Sequence, residues 1–263
     1  MKALLGQLAP VPGDQAANVA RIAQAIGDHP DADLAVFPEL FVSGYQPQSA
    51  LPWPDGALEP IAHAAARTST TTVFGFAELC DDGWANSIGV VAADGAFAGT
   101  YRKTHLFGDF ERRTFVPGDA LHVFDTPAGR VGPLICFDME FPEPARALAR
   151  AGATLLVTCS ANMEPYAPDH ALAARARALD NRMPHVYVNR VGREGGLTFA
   201  GGTCVIDAGG NVVSALAANE EEIRCLELPR RAAPDSDVDY LALLRPDLPV
   251  RDVAPSIGHR GGD

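Results

Sequence analysis

Short apolar runs alternate with stretches in which apolar residues recur every three or four positions, and the pattern continues to about residue 228. ALLGQLA (3–9) predicts a buried strand, and Asp14 stands where a helix N-cap is expected, ahead of Val19, Ile22, Ala23 and Ile26 on one helical face. DLAVF (33–37) is a second strand. TTVFGFAE (71–78) predicts a strand, and NSIGVVAADGAFAGTYRK (86–103) a hairpin turning at Asp94-Gly95. RVGPLIC (130–136), ATLLVTC (153–159) and HVYVN (185–189) read as strands, separated by helices over FPEPARALARAG (141–152) and PDHALAARARALDN (168–181). GGTCVIDAGGNVVSAL (201–216) predicts a second hairpin around Ala208-Gly209-Gly210-Asn211, and EIRCLEL (222–228) closes the regular pattern. Helices alternating with strands, with hairpins among them, predict an α/β protein with mixed sheets.

Composition narrows the classes of partner. The chain has 263 residues, 47% of them apolar, enough to bury a sizeable core. Its 21 basic and 33 acidic residues give a net charge of -12, which disfavours nucleic acid and anionic membrane as partners. No apolar run approaches the roughly 18 residues of a membrane span, and MKALLGQLAPVPGDQ lacks the apolar core of an export signal. A soluble, cytoplasmic protein is therefore expected. Five cysteines without a C-x-x-C pair give neither a disulfide framework nor a zinc knuckle. Residues 1–228 read as one domain, followed by a tail over 229–263 rich in Pro, Arg and Asp with one apolar stretch at 240–244. That tail is either an arm on a partner subunit or a loosely ordered terminus.

Common catalytic patterns are missing. FVSGY (41–45) lacks the first Gly of a nucleophile elbow, no P-loop is present, and the seven His have no metal-binding spacing. What remains is four polar residues at the ends of apolar strands: Glu39 after DLAVFP, Lys103 in YRKTHLF, Glu111 in FERRTFVPGD, and Cys136 at the end of RVGPLIC. Taken singly, each has a plain reading as a solvated acid, a surface cation, an ion pair with Arg112 or Arg113, or a small core residue. As a set they can perform acyl transfer without histidine. A carboxylate accepts the thiol proton, and an ammonium stabilises charge on a carbonyl oxygen. A strand–turn–helix context would also turn backbone N–H groups and the positive end of a helix toward Cys136.

At these residues the sequence resembles the nitrilase superfamily of carbon–nitrogen hydrolases. FPELFVSGY (37–45) is similar to that family's glutamate motif, YRKTHLFG (101–108) to its lysine motif and LICFDMEFPEPAR (134–146) to its cysteine motif, in the family's order. Glu111, six residues before Pro117, matches the family's second glutamate, and RALDN (177–181) resembles its R-A-x-E-N segment with Asp180 in place of Glu. The resemblance implies a four-layer α-β-β-α sandwich of two mixed sheets, a homodimer formed by stacking helices, and neither metal nor organic cofactor. It implies Glu39 as general base, Cys136 as nucleophile, Lys103 as oxyanion donor and Glu111 as an aid to substrate or water. Phe137-Asp138 after the cysteine is similar to the amidase branches, which favours amides over nitriles.

Tyr45, Phe137, Glu140, Asn162, Met163 and Tyr166 lie just past strand ends or the cysteine and are candidate pocket residues, though ordinary packing explains the two tyrosines equally well. Arg175, Arg177 and Arg190 are near enough in the chain for one of them to clamp a substrate carboxylate. The expected substrate is a small aliphatic or amino-acid-like amide, hydrolysed through a cysteine thioester. The alternatives are a nitrilase, an N-carbamoyl amidohydrolase, an amidase acting on ω-amides, and a non-catalytic scaffold of the same fold.

Overall fold

Parallel strands need long crossover connections, and helices supply them on both sides of this molecule. A computed structural model describes residues 1–229, 240–245 and 247. In the N-terminal half, α1 (Gln15–Asp28) connects β1 (Lys2–Gln7) to β2 (Leu34–Val36), and α2 (Glu59–Thr68) leads on to β3 (Thr71–Cys80), all three strands parallel. β4 (Gly83–Val91) and β5 (Phe97–Arg102) extend the sheet antiparallel, through the expected Asp94-Gly95 turn. Gly95 takes φ +86 there, a left-handed conformation that glycine adopts without penalty. Asp14 caps α1 by accepting the Ala17 N–H at 3.0 Å.

The second half repeats the plan. α3 (Gly108–Thr114) leads to β6 (Phe124–Thr126) and β7 (Gly129–Ile135), then a 3-10 turn over Cys136–Glu140 and α4 (Pro142–Arg150). β8 (Leu155–Ser160), α5 (Ala167–Asn181) and β9 (His185–Asn189) follow, with β7, β8 and β9 parallel. A two-stranded ribbon, β10 (Val191–Glu194) and β11 (Leu197–Ala200), precedes the hairpin of β12 (Cys204–Ile206) and β13 (Val212–Ala215). That hairpin's turn is held by the Asp207 carboxylate, which accepts the N–H groups of Gly209 and Asn211. β14 (Glu222–Glu227) returns to the first sheet and pairs with β1.

The result is two six-stranded sheets, ordered β14-β1-β2-β3-β4-β5 and β13-β12-β9-β8-β7-β6. Leu5, Val36, Val73 and Ile88 of one meet Val131, Ile135, Val157 and Val188 of the other in a buried core. α1 and α2 cover the outer face of the first sheet, packing Ile22, Ile26 and Ile61 against Leu4, Ala35 and Phe74. α4 and α5 cover the second, setting Leu148 and Ala178 against Leu134, Leu156 and Ile206. The architecture is the expected four-layer α-β-β-α sandwich. Among the described residues no helix is long and apolar enough to cross a membrane.

Differences from the sequence reading have local causes. β2 stops at Val36: Phe37 still donates to Val73 at 2.9 Å, but Pro38 has no N–H to continue the ladder. α2, α3 and the β10–β11 ribbon, ten residues or fewer each, are present in addition to the elements predicted from sequence. Of the 229–263 tail, Tyr240 packs on its own chain, accepting a hydrogen bond from Arg182 Nη2 at 2.7 Å with the guanidinium over its ring. The partner-arm expectation otherwise lies outside the described residues.

One glycine couples the first sheet to the turn after β2. A Cβ on Gly75 of β3 would sit 2.4 Å from Leu40 N, 2.5 Å from Pro38 O and 2.6 Å from Glu39 Cα, all backbone atoms. Gly75→Ala is expected to cost about 1–3 kcal/mol by overpacking, read as a lower urea midpoint; an unchanged midpoint would mean the turn yields freely.

Candidate active site

Four segments distant in sequence meet where the two sheets end. Glu39 sits in the turn that follows β2, where Leu40 takes φ +51 and bends the chain back. Lys103 directly follows β5, its N–H bonded to Asn86 O of β4 at 2.8 Å. Glu111 is the buried residue of α3. All three side chains are removed from water.

Their hydrogen bonds interlock. Glu39 Oε1 accepts from Lys103 Nζ and from Asn86 Nδ2, each at 2.7 Å, while Oε2 accepts the Ala161 N–H just past β8, also at 2.7 Å. Lys103 Nζ reaches Glu111 Oε1 at 2.9 Å and Oε2 at 2.8 Å. Glu111 is further fixed by the Tyr45 hydroxyl at 2.9 Å and the Phe107 N–H at 2.8 Å. Taking such charges out of water is expensive, and only close pairing makes it tolerable.

The electrostatics follow from two carboxylates sharing one ammonium. Burial works against the Lys103 charge, but Glu111 and Glu39 outweigh it and hold the ammonium well above its ordinary range. Burial pushes the Glu111 carboxyl up, and Glu39 adds to this against the pull of Lys103. Tyr45, desolvated beside Glu111, is raised as well and keeps its proton.

Cys136 opens the 3-10 turn at the end of β7, with φ +44. Holding a non-glycine residue there costs on the order of 1–2 kcal/mol. Asp138 secures the turn: it accepts the Ile135 N–H at 3.1 Å, the Tyr101 hydroxyl at 2.7 Å and the His105 N–H at 2.8 Å, which binds it to the loop after Lys103. As the strand–turn–helix pattern predicts, a short turn separates Cys136 from α4, which begins at Pro142, so the helix dipole acts on the sulfur at a distance. The thiol is pushed up, first by burial and then by the Glu39 charge, against the opposing pull of Lys103 and a hydrogen bond with Ser160. At rest it is a neutral thiol.

Cys136 and Glu111 line one narrow pocket together with Tyr45, Phe137, Glu140, Asn162, Met163 and Tyr166, the candidates named from sequence. About 270 Å³ of space, open solvent at the mouth included, lies between these side chains. Phe107, within the YRKTHLFG string, and His170 complete the wall with Asn86 and Ser160 behind it, and none of the four is among the candidates named from sequence. The three candidate clamps are engaged elsewhere. Arg177 donates to Met139 O and Glu140 O, Arg190 to Glu194 and Arg175 to Gly210 O. Among the described residues no group of three or more His, Cys, Asp or Glu is placed to hold a metal ion.

Known proteins resemble this chain in sequence and in fold. A family model described as carbon–nitrogen hydrolase matches residues 2–233. An (R)-stereoselective amidase from a Pseudomonas species is 40% identical over 251 residues, covering 92% of this chain and 90% of that protein. A nitrilase of Pyrococcus abyssi is 39% identical over 206 residues, 75% of this chain and 77% of its own. An amidase from Nesterenkonia sp. AN1 has the same fold, with a TM-score of 0.84 at 28% identity over 93% of this chain and 96% of that one. A variant of that amidase carries the acetamide moiety of fluoroacetamide covalently on its active-site cysteine.

Removing the ammonium exposes the cost of the cluster. Lys103→Met leaves two buried carboxylates facing each other and is expected to lose about 3–5 kcal/mol at neutral pH. Without the ammonium the Glu111 carboxyl rises further above its unfolded value, extending the rise already present. The deficit against the parent protein should therefore be small below the ordinary carboxylate range and grow as pH rises through it. Thermal melts of both proteins across pH check this; a pH-independent gap would contradict it.

Proposed function

The chain belongs to the carbon–nitrogen hydrolase family, and from that premise we propose that it is an amidase. It hydrolyses the C–N bond of a small aliphatic or amino-acid-like amide to a carboxylic acid and ammonia, through a thioester on Cys136. The observation that carries this reading is the buried Glu39–Lys103–Glu111 cluster beside a thiol at the wall of a pocket. Amidases among the relatives and structural neighbours support amide over nitrile as the substrate.

The chemistry follows from charge. Glu39, Glu111 and Lys103 together carry one net negative charge, and a second uncompensated one would be costly in a site this buried. Passing the Cys136 proton to Glu39 leaves that total unchanged, because thiolate appears as carboxylate disappears. Glu39 is thus the general base, and thiolate forms as the substrate carbon is attacked. Lys103 has a third N–H beyond its two carboxylate partners, and this donor with the Phe137 N–H stabilises the oxyanion. Preorganised donors of this kind supply about 3–4 kcal/mol each.

Protonated Glu39 next returns its proton to the leaving nitrogen, the C–N bond breaks, and ammonia departs. Water then enters, Glu39 takes one of its protons, and hydroxide adds to the thioester carbon. The C–S bond breaks and the sulfur recovers the proton held by Glu39. Glu111 keeps Lys103 in place throughout and borders the pocket from which the water attacks.

Mass spectrometry of protein quenched during turnover of short amides should find the acyl mass on the Cys136 peptide. Cys136→Ala should lose at least about a thousandfold in kcat while remaining folded. An acyl group on another residue, or a near-normal rate in C136A, would end the proposal.

A further inference from the structure

Glu140 has no part in the steps above, yet its carboxyl lies on the pocket wall. Its side chain is 32% exposed, so it stands toward the mouth of the pocket, away from the buried cluster. One oxygen, Oε1, is fixed by His170 Nε2 at 3.0 Å, and His170 is itself buried and anchored by the Tyr187 hydroxyl at 3.0 Å. Among the described residues, Oε2 takes no hydrogen bond. Arg177 binds the main-chain oxygen of Glu140 rather than its carboxylate.

Aromatic rings line the same pocket as this acid. Phe107 meets Phe137 edge-on with centroids 5.3 Å apart, and Tyr166 likewise at 5.6 Å; all three line the pocket. Aromatic rings and a carboxylate lining one pocket form an environment that binds ammonium groups. The lining includes no Lys or Arg, so a substrate carboxylate would meet Glu140 with only His170 to balance it.

We infer that the pocket selects amides whose acyl chain ends in an ammonium group, with Glu140 as the specificity-determining residue and Phe107, Phe137 and Tyr166 as the ring cage. This rests on the amidase reading of the same site. Cys136 and Glu140 are four residues apart along a 3-10 turn, about 8 Å at the rise of such a turn. The charged nitrogen therefore lies only a few bonds from the carbonyl carbon. Monoamides of dicarboxylic acids are the disfavoured class.

Three amides of matched length test this: β-alaninamide, butanamide and succinamate, which differ only in whether the chain ends in ammonium, methyl or carboxylate. Ammonia release by the parent protein should give a kcat/KM about tenfold higher for β-alaninamide than for butanamide, with succinamate lowest. Glu140→Gln should shrink the β-alaninamide to butanamide ratio about tenfold, and the ratio cancels any general loss of activity. A parent protein that prefers butanamide or succinamate overturns the inference, as does an unchanged ratio in E140Q. The parent ranking decides even where the variant fails to fold. Turnover without the preference removes the inference alone, whereas no ammonia from any of the three removes the amidase reading with it.

Discussion

Everything at the candidate active site depends on one contact: a lysine ammonium between two carboxylates, all three side chains buried. Three structural elements meet there because each supplies one member. The turn after β2 brings Glu39, the end of β5 brings Lys103, and α3 brings Glu111. The second sheet joins through the Ala161 N–H, which binds the free oxygen of Glu39. The cluster thus ties the two halves of the sandwich together at the point where the pocket opens. Its stability comes from pairing, since any member left alone would carry an uncompensated charge in an apolar surround.

That contact also determines the state of the cysteine. Many reactive cysteines are activated by a cation or a helix N-terminus that favours thiolate. Here the neighbouring field has net negative sign, and burial acts in the same direction, so sulfur retains its proton. A base within the cluster answers this arrangement better than a preformed nucleophile does. The positive φ of Cys136 serves the same end, because the bend carries the residue out of the strand and onto the pocket wall while Asp138 holds the turn beneath it.

Much of this was legible in the sequence, and the limits are instructive. The alternation of strand and helix gave the layers, since apolar residues recurring every three or four positions leave a clear period in α1. Glu39, Lys103 and Cys136 stood out because each interrupts or ends an apolar run where a polar residue has no packing role. Asn86 did not, because it is one polar residue among several in β4, and only the approach of the turn after β2 gives it a partner. Phe107 and His170 reach the pocket from elements that only tertiary packing brings near. The neutral thiol was invisible for a different reason: charge sign at a point depends on three-dimensional distance, which spacing along the chain does not encode.

The most direct test of the account is the ionisation of Cys136 itself, measured as the ultraviolet thiolate absorbance of the parent protein minus that of Cys136→Ala across pH. The account predicts no thiolate signal at neutral pH, with ionisation only above the free-thiol value of about 8.5. A thiolate already formed at or below neutral pH would contradict it, because the cluster would then be tolerating a second negative charge that the geometry is argued to forbid.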